Sequence, residues 1–259
     1  MRGRTPAAFA LLAATAVAFI ALPLLGLIAR APWSQAAAVI SSPEALSALR
    51  LSLEVSTAAA LITVILGVPL AWVLTRARFP GRSLVRALSV LPLVLPPVVA
   101  GVALLAAFGR RGMFGPLLRA AGVQLPFSTA GAIVATAFVS LPLVVLAVES
   151  GLRSLDPRFE QAAGAMGASR WHAARRITLP LVAPQILAGA VLAWARALGE
   201  FGATLMFAGN LEGKTQTLPL AVFQESQQDP GAALVLALVL VVVSVAVLFA
   251  LRSRVLPSR

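Results

Sequence analysis

Six apolar runs, at about 7–29, 51–74, 88–108, 130–150, 182–209 and 232–251, constrain this chain more than any other feature. A hydrocarbon core of about 30 Å takes roughly 20 consecutive apolar residues per helix, and each run is close to that length. Across the 259 residues, 59% of side chains are hydrophobic and 12% charged, a balance far too apolar for an ordinary soluble domain. The expected fold is all-α: a polytopic membrane helical bundle of about six transmembrane helices set in a lipid bilayer.

The formal charge of +12 raises the question of nucleic acid. A basic binding module clusters its arginines on one surface, whereas here they punctuate the apolar runs, so no nucleic-acid partner is expected. Arg76, Arg78, Arg82, Arg86, Arg153, Arg158, Arg170, Arg175 and Arg176 fall on one side of the spans. Arg2 and Arg4 before the first run join them, as do Arg252, Arg254 and Arg259 after the last. Arg30, Arg50, Arg110, Arg111, Arg119 and Lys214 fall on the other side. The positive-inside rule then puts both termini in the cytoplasm of a multi-pass inner-membrane protein.

The first run also has signal-peptide features, with Arg2 and Arg4 ahead of it and the small-residue site Ala29-Arg30-Ala31 behind it. A signal-peptide core has about 7–15 residues, and this run is longer, so a retained helix is expected. Cleavage would leave five spans and an outside N-terminus. With no cysteine and one histidine, His172, neither a disulfide framework nor a metal centre is expected.

Between the fourth and fifth runs lies a polar insert. Asp156-Pro157 is a helix start, an aspartate that can accept from free amides followed by a proline with helical φ. Phe159, Ala162, Ala163 and Met166 recur at the spacing of one apolar face, and Gly167 can take the left-handed conformation that ends a helix. Ser169 can cap a second helix with Trp171, Ala174 and Ile177 on one side and Arg170, Arg175 and Arg176 around the others. Charge alone is compatible with a basic loop at the lipid headgroups. The full spacing, however, is Gln161-Ala162-Ala163, three residues, Gly167, nine residues, then Ile177-Thr178-Leu179-Pro180. It resembles the EAA loop of ABC importer permeases. The motif's glutamate position holds Gln161, with Glu160 one residue before it.

Other segments are similar to molybdate permeases within that group. They are Leu91-Pro92-Leu93-Val94-Leu95-Pro96-Pro97-Val98-Val99 with Gly109-Arg110-Arg111-Gly112, Phe79-Pro80-Gly81, Ala195 to Thr204, and Asn210 with Gly213-Lys214-Thr215. Sulfate and thiosulfate permeases share the Gly-Glu-Phe-Gly segment and the EAA loop but fit the proline run and Gly-Arg-Arg-Gly less well. The resemblance covers about residues 45–250 and implies the type I ABC importer permease fold.

The division implied is an extra N-terminal helix and outer loop at 1–44, the importer transmembrane domain at 45–252 with its EAA loop at about 153–180, and a cytoplasmic tail at 253–259. The resemblance further implies a second copy of the chain, two cytoplasmic ABC ATPase subunits carrying ATP and Mg, and a periplasmic or lipid-anchored oxyanion-binding protein. Phe159, Glu160, Gln161, Ala162, Ala163, Met166 and Gly167 are then the ATPase-coupling residues. The function implied is ATP-driven molybdate import by alternating access, with tungstate not separated from molybdate. The alternatives are a sulfate or thiosulfate importer, and an ATP-independent anion carrier or channel. No cofactor is expected in this chain, since Gly213-Lys214-Thr215 looks like the tail of a phosphate-binding loop but Ala208 stands where its first glycine belongs.

Inside the membrane, Arg196 and Glu200 lie four apart on the fifth run and can pair on one helix face. Each charge costs roughly 2.5–3.5 kcal/mol at a helix centre, so both are expected away from lipid. The pair either lines an oxyanion path or locks neighbouring helices, with the lock favoured. Gly199 and Gly202 permit close packing or a local break, with packing favoured. Pro96 and Pro97, with Pro92, bend the third run and are candidate gate residues. Glu54 and Glu149 are read as water-accessible ends of the second and fourth runs.

Overall fold

The computed structural model describes residues 6–255, with the side chains of Leu248 and 250–255 outside that description. Arg2, Arg4, Arg259 and the tail from 256 lie outside the described residues, as do the side chains of Arg252 and Arg254. Among the described residues the regular structure is helical, with no strand. In chain order the helices are α1 (Ala7–Arg30), α2 (Trp33–Ile40), α3 (Pro43–Arg76), α4 (Arg82–Val94), α5 (Pro97–Phe108), α6 (Gly115–Ala120), α7 (Thr129–Ser154), α8 (Arg158–Ala165) and α9 (Arg170–Ala173). A π turn (Ala174–Thr178) then leads into α10 (Leu179–Leu198), α11 (Gly202–Ala208), α12 (Leu218–Gln228) and α13 (Pro230–Val255).

Local chemistry sets most of these starts. The Ser42 hydroxyl accepts from the Ala45 amide ahead of α3, and Ser128 from Gly131 ahead of α7. The Asp229 carboxylate accepts from Gly231 and Ala232 ahead of α13. Five helical stretches among the described residues are long and apolar enough to cross a membrane: α1, α3, α7, the continuous rod Arg170–Leu198, and α13. At 34 residues α3 is about 50 Å long, well beyond the hydrocarbon core. Its N-terminal end packs through Ala45 and Ala48 against Leu218 and Ala221 of α12 and Leu236 of α13.

Two expected spans differ in a way that matters. The third, expected as one bent helix over 88–108, is two shorter helices, α4 and α5, separated at Leu95 and Pro96. A residue before proline is pushed out of the helical region, and Leu95 and Pro96 both precede a proline, so both are extended, with ψ of 134° and 133°. The fifth, expected over 182–209, begins earlier and stops at Leu198, and residues 202–208 form the separate α11. Among the other boundaries, α3 begins eight residues before its apolar run and α13 continues to Val255, into the stretch read as tail.

Lipid tails are as apolar as leucine, so helices associate in a bilayer by close packing. A Cβ added at Gly67 would lie 3.0 Å from Val144 Cγ1, and one at Gly189 2.9 Å from Ala147 Cβ. The centre of the bundle is therefore α3, α7 and α10, joined through Ala71, Leu74, Val144, Val145, Val148, Val182 and Ala193. A second cluster joins α5, α7 and α11 through Ala100, Leu104, Ala135, Val139, Ala203 and Phe207. Helix α1 buries no residue and packs on α13.

Candidate functional site

Two regions gather the residues singled out above. The first is the connection between α7 and α10. Asp156 Oδ1 accepts from the Arg158 amide at 2.9 Å and opens α8. Gly167 ends the turn with φ +83°, a conformation that a Cβ disfavours. The Ser169 hydroxyl accepts from the His172 amide and starts α9. Pro180 has no amide to give and its ring crowds the preceding turn. The helix answers by widening to the π turn, where the Leu179 amide reaches the Ala174 carbonyl, and the chain then runs unbroken into α10.

This arrangement leaves Phe159 52% exposed, Met166 80% and Trp171 71%. Phe159, Ala162, Ala163 and Met166 face Ile177, Pro180 and Leu181 across an open hollow of about 720 Å³, rimmed by Asp156, Arg158 and Arg176. Exposed apolar side chains gathered beside charged ones form the kind of surface that a partner can cover. Gln161 is exposed with them, whereas Ala163 is buried. Glu160 does not join that surface. Its Oε1 accepts from Arg76 NH2 at 2.9 Å and from the Thr178 hydroxyl at 2.7 Å, so it turns inward.

Nearby, Glu149 is only 5% exposed, which corrects its reading as water-accessible. Arg86 of α4 reaches it at 2.8 Å and Arg153 at 3.7 Å, while Arg82 and Arg86 both donate to the Leu74 carbonyl near the end of α3. Arginines thereby neutralise both a buried carboxylate and a helix C-terminus. These ties hold α3, α4 and α7 together. Sequence reading missed Arg76, Arg86 and Thr178, because their partners are far away in the chain.

The second region is where the two broken spans meet. A Cβ added at Gly202 would lie 2.8 Å from Pro97 Cβ and 3.3 Å from Val98 N, and one at Gly101 2.9 Å from the Ala203 carbonyl oxygen. The start of α11 is thus pressed against the start of α5. Arg196 and Glu200 do pair, but not along one helix as expected: α10 ends at Leu198 and Glu200 lies past its end. Glu200 is 2% exposed, and its other oxygen accepts from the Ala203 amide at 2.8 Å, capping the first turn of α11. Both a local break and close packing are present, at different glycines: Gly199 follows the end of α10 in open space, and Gly202 packs. Pro96, Pro97 and Gly199 are exposed and Arg196 partly so, which leaves this junction open on one face.

Replacing Arg196 by alanine leaves a buried carboxylate with one backbone donor, a loss of about 3 kcal/mol or more by the cost of orphaning one member of a buried pair. The expected result is a reduced yield of monodisperse subunit together with reduced transport, and recovery of assembly in Arg196→Lys. Size-exclusion profiles of the solubilised protein check this. Unchanged assembly and transport in Arg196→Ala removes the residue from both roles.

The Gly213-Lys214-Thr215 segment lies in the connection between α11 and α12. Its Thr215 hydroxyl accepts from the Leu211 amide at 2.9 Å, so the turn closes on itself.

Residues 63–256 match the family model described as "Binding-protein-dependent transport system inner membrane component". The chain is 45% identical over 238 residues to the "Molybdenum transport system permease protein ModB" of Mycobacterium tuberculosis, covering 92% of this chain and 90% of the relative. It is 37% identical over 236 residues to the "Sulfate transport system permease protein CysT" of Escherichia coli, covering 90% and 85%. Among solved structures, a bacterial alginate ABC transporter in complex with alginate pentasaccharide-bound periplasmic protein aligns with a TM-score of 0.77. That alignment covers 96% of this chain and 95% of that one at 19% identity, a likeness of fold.

Proposed function

Because the chain belongs to the family of binding-protein-dependent transport system inner membrane components, we propose that it is the permease subunit of an ATP-driven importer that moves molybdate across the cytoplasmic membrane. The observation that carries the substrate is the 45% identity to a molybdenum permease over 92% of the chain, against 37% to a sulfate permease. Sulfate import is therefore the second reading, and tungstate shares the charge and shape of molybdate.

The working assembly is two copies of this chain, two cytoplasmic ATPase subunits that bind ATP and Mg, and a binding protein outside the membrane. Phe159, Gln161, Ala162 and Met166 form the knob that seats in the ATPase, with Ala163 and Gly167 setting its packing and its end. The abundance of arginine at that end of the spans supports a cytoplasmic location for it, and with it both termini. The junction of α4, α5, α10 and α11 is the gate, with its open face turned toward the second copy. Two broken helices meeting midway along their spans are suited to this, since irregular backbone in a membrane is tolerated where it lines a cavity or is buried in protein. Arg196 supplies positive potential there, and its pairing with Glu200 keeps it from holding a dianion too tightly to release.

Uptake of labelled molybdate into proteoliposomes containing this subunit, its ATPase and its binding protein tests the reading. The expected result is uptake that needs ATP and resists excess sulfate. Competition by sulfate would assign the chain to sulfate import, and uptake without ATP would make it a carrier or channel.

A further inference from the structure

Glu160 occupies a position in α8 unlike its neighbours. An isolated eight-residue helix is marginal in water, and this one hangs between Leu155 and Gly167 with Ala163 as its one buried residue. Something else must hold it if a push on its exposed face is to move anything behind it. The Glu160 carboxylate provides that hold, because a single oxygen, Oε1, accepts from two separate elements: Arg76, the last residue of α3, and Thr178, the last residue of the π turn leading into α10. Thr178 is fully buried, while the Arg76 and Glu160 side chains are each 28% exposed.

The Arg76 guanidinium is half engaged. Its NH2 reaches Glu160, but its Nε is buried without a partner. An arginine fork offers parallel donors to both oxygens of a carboxylate, so a small advance of α8 toward α3 allows a second bond, from Nε to Oε2. The contact is made here through one nitrogen and one oxygen.

We infer that Glu160, Arg76 and Thr178 form a latch that transmits the stroke of α8 into α3 and α10, with Glu160 a positioning residue acting through Arg76 and not part of the ATPase-facing surface. The inference rests on the reading of α8 as the ATPase-facing knob. In the latched protein α8, α3 and the root of α10 move as one body. Without the latch α8 stays seated in the ATPase but slips against its own subunit, so ATP is hydrolysed with less movement of the spans.

The chain has no native cysteine, so spin labels at cysteines replacing Arg78, just past α3, and Ala165, on the exposed side of α8, report the α3–α8 distance cleanly. The experiment uses the full importer in proteoliposomes, cycled between nucleotide-free and vanadate-trapped states. The native distance is expected to stay narrow through the cycle. In Arg76→Gln it broadens, ATPase copurification stays normal, and ATP hydrolysed per molybdate delivered rises roughly threefold to tenfold, the range for residues that carry coupling between sites. The swapped pair Arg76→Glu/Glu160→Arg narrows the distance again and recovers most of the ratio, which a purely structural defect would not do.

An unchanged distance and ratio in Arg76→Gln overturns the latch. Loss of ATPase copurification in that variant overturns it too, because the pair would then belong to the docking surface. The distance readout does not depend on which oxyanion is carried, and docking is read separately from the exposed residues of α8, so failure of the latch is distinct from failure of the functional assignment.

Discussion

Glutamates placed at Phe159 and Met166 together are expected to release the ATPase. Both side chains are more than half exposed and sit on the apolar wall of the hollow beside α8, so the changes leave the subunit's own core untouched. Anchors of this type cost about 2 kcal/mol or more each when lost from the centre of an interface. The pair together therefore weakens association on the order of a thousandfold, enough to abolish copurification from detergent. Uptake falls to background as a result. A binding isotherm between ATPase and solubilised subunit measures the loss, and normal copurification of the double variant would show that α8 is not the docking element. Gly164→Ala, on the same helix with open space around it, is the matched control and is expected to bind normally.

The spans were legible because bilayer thickness fixes how long an apolar run must be. The insert was legible for a different reason: Asp156, Gly167 and Ser169 each act on backbone within three residues of themselves, a range that sequence reports directly. Backbone continuity was not. Hydropathy along 88–108 and 182–209 is uninterrupted, so each reads as one helix, yet Pro96-Pro97 removes two donors in succession and forces Leu95 and Pro96 into extended backbone. Arg196 and Glu200 illustrate the limit well. Spacing of four identified the pair correctly, while the helix assumed to carry both residues ends before the second one.

Long-range ties were the other blind spot. Nothing in one sequence links Glu160 with Arg76, 84 residues away, or Glu149 with Arg86, 63 residues away. One signal did exist. Glu160 and Ala163 are three apart, so they are neighbours on α8, and Ala163 is the one buried residue of that helix. An acid on the small-residue side of a short amphipathic helix, close to the arginine-rich ends of several spans, points toward protein instead of partner. Glu149 looked accessible because it falls near a helix end, but Arg86 of α4, which also reaches the Leu74 carbonyl of α3, pairs with it there.

Gly199 and Gly202 are close together in sequence and are expected to respond very differently to the same change. Alanine at Gly199 meets nothing nearer than the Ala195 carbonyl oxygen at 4.0 Å, and the backbone there has φ −91°, which any residue adopts. Alanine at Gly202 puts a methyl group 2.8 Å from Pro97 Cβ and 3.3 Å from Val98 N. Neither neighbour yields as a flexible side chain would, since one is a ring closed on the backbone and the other is the backbone itself. Overpacking of this kind costs about 1–3 kcal/mol, and here the strain falls on the contact between the starts of α5 and α11. If that contact is the hinge face of the gate, Gly202→Ala reduces ATP-dependent uptake by about tenfold to a hundredfold, in line with that energy. Gly199→Ala should stay within about threefold of native, the margin of a surface substitution of roughly 0.5 kcal/mol. Both variants keep their ATPase, because α8 is remote from the junction in the fold. Equal uptake in the two variants would mean that the junction does not move during transport and that the gate lies elsewhere. A Gly202→Ala protein that binds its ATPase, hydrolyses ATP and fails to import separates gating from docking in one chain.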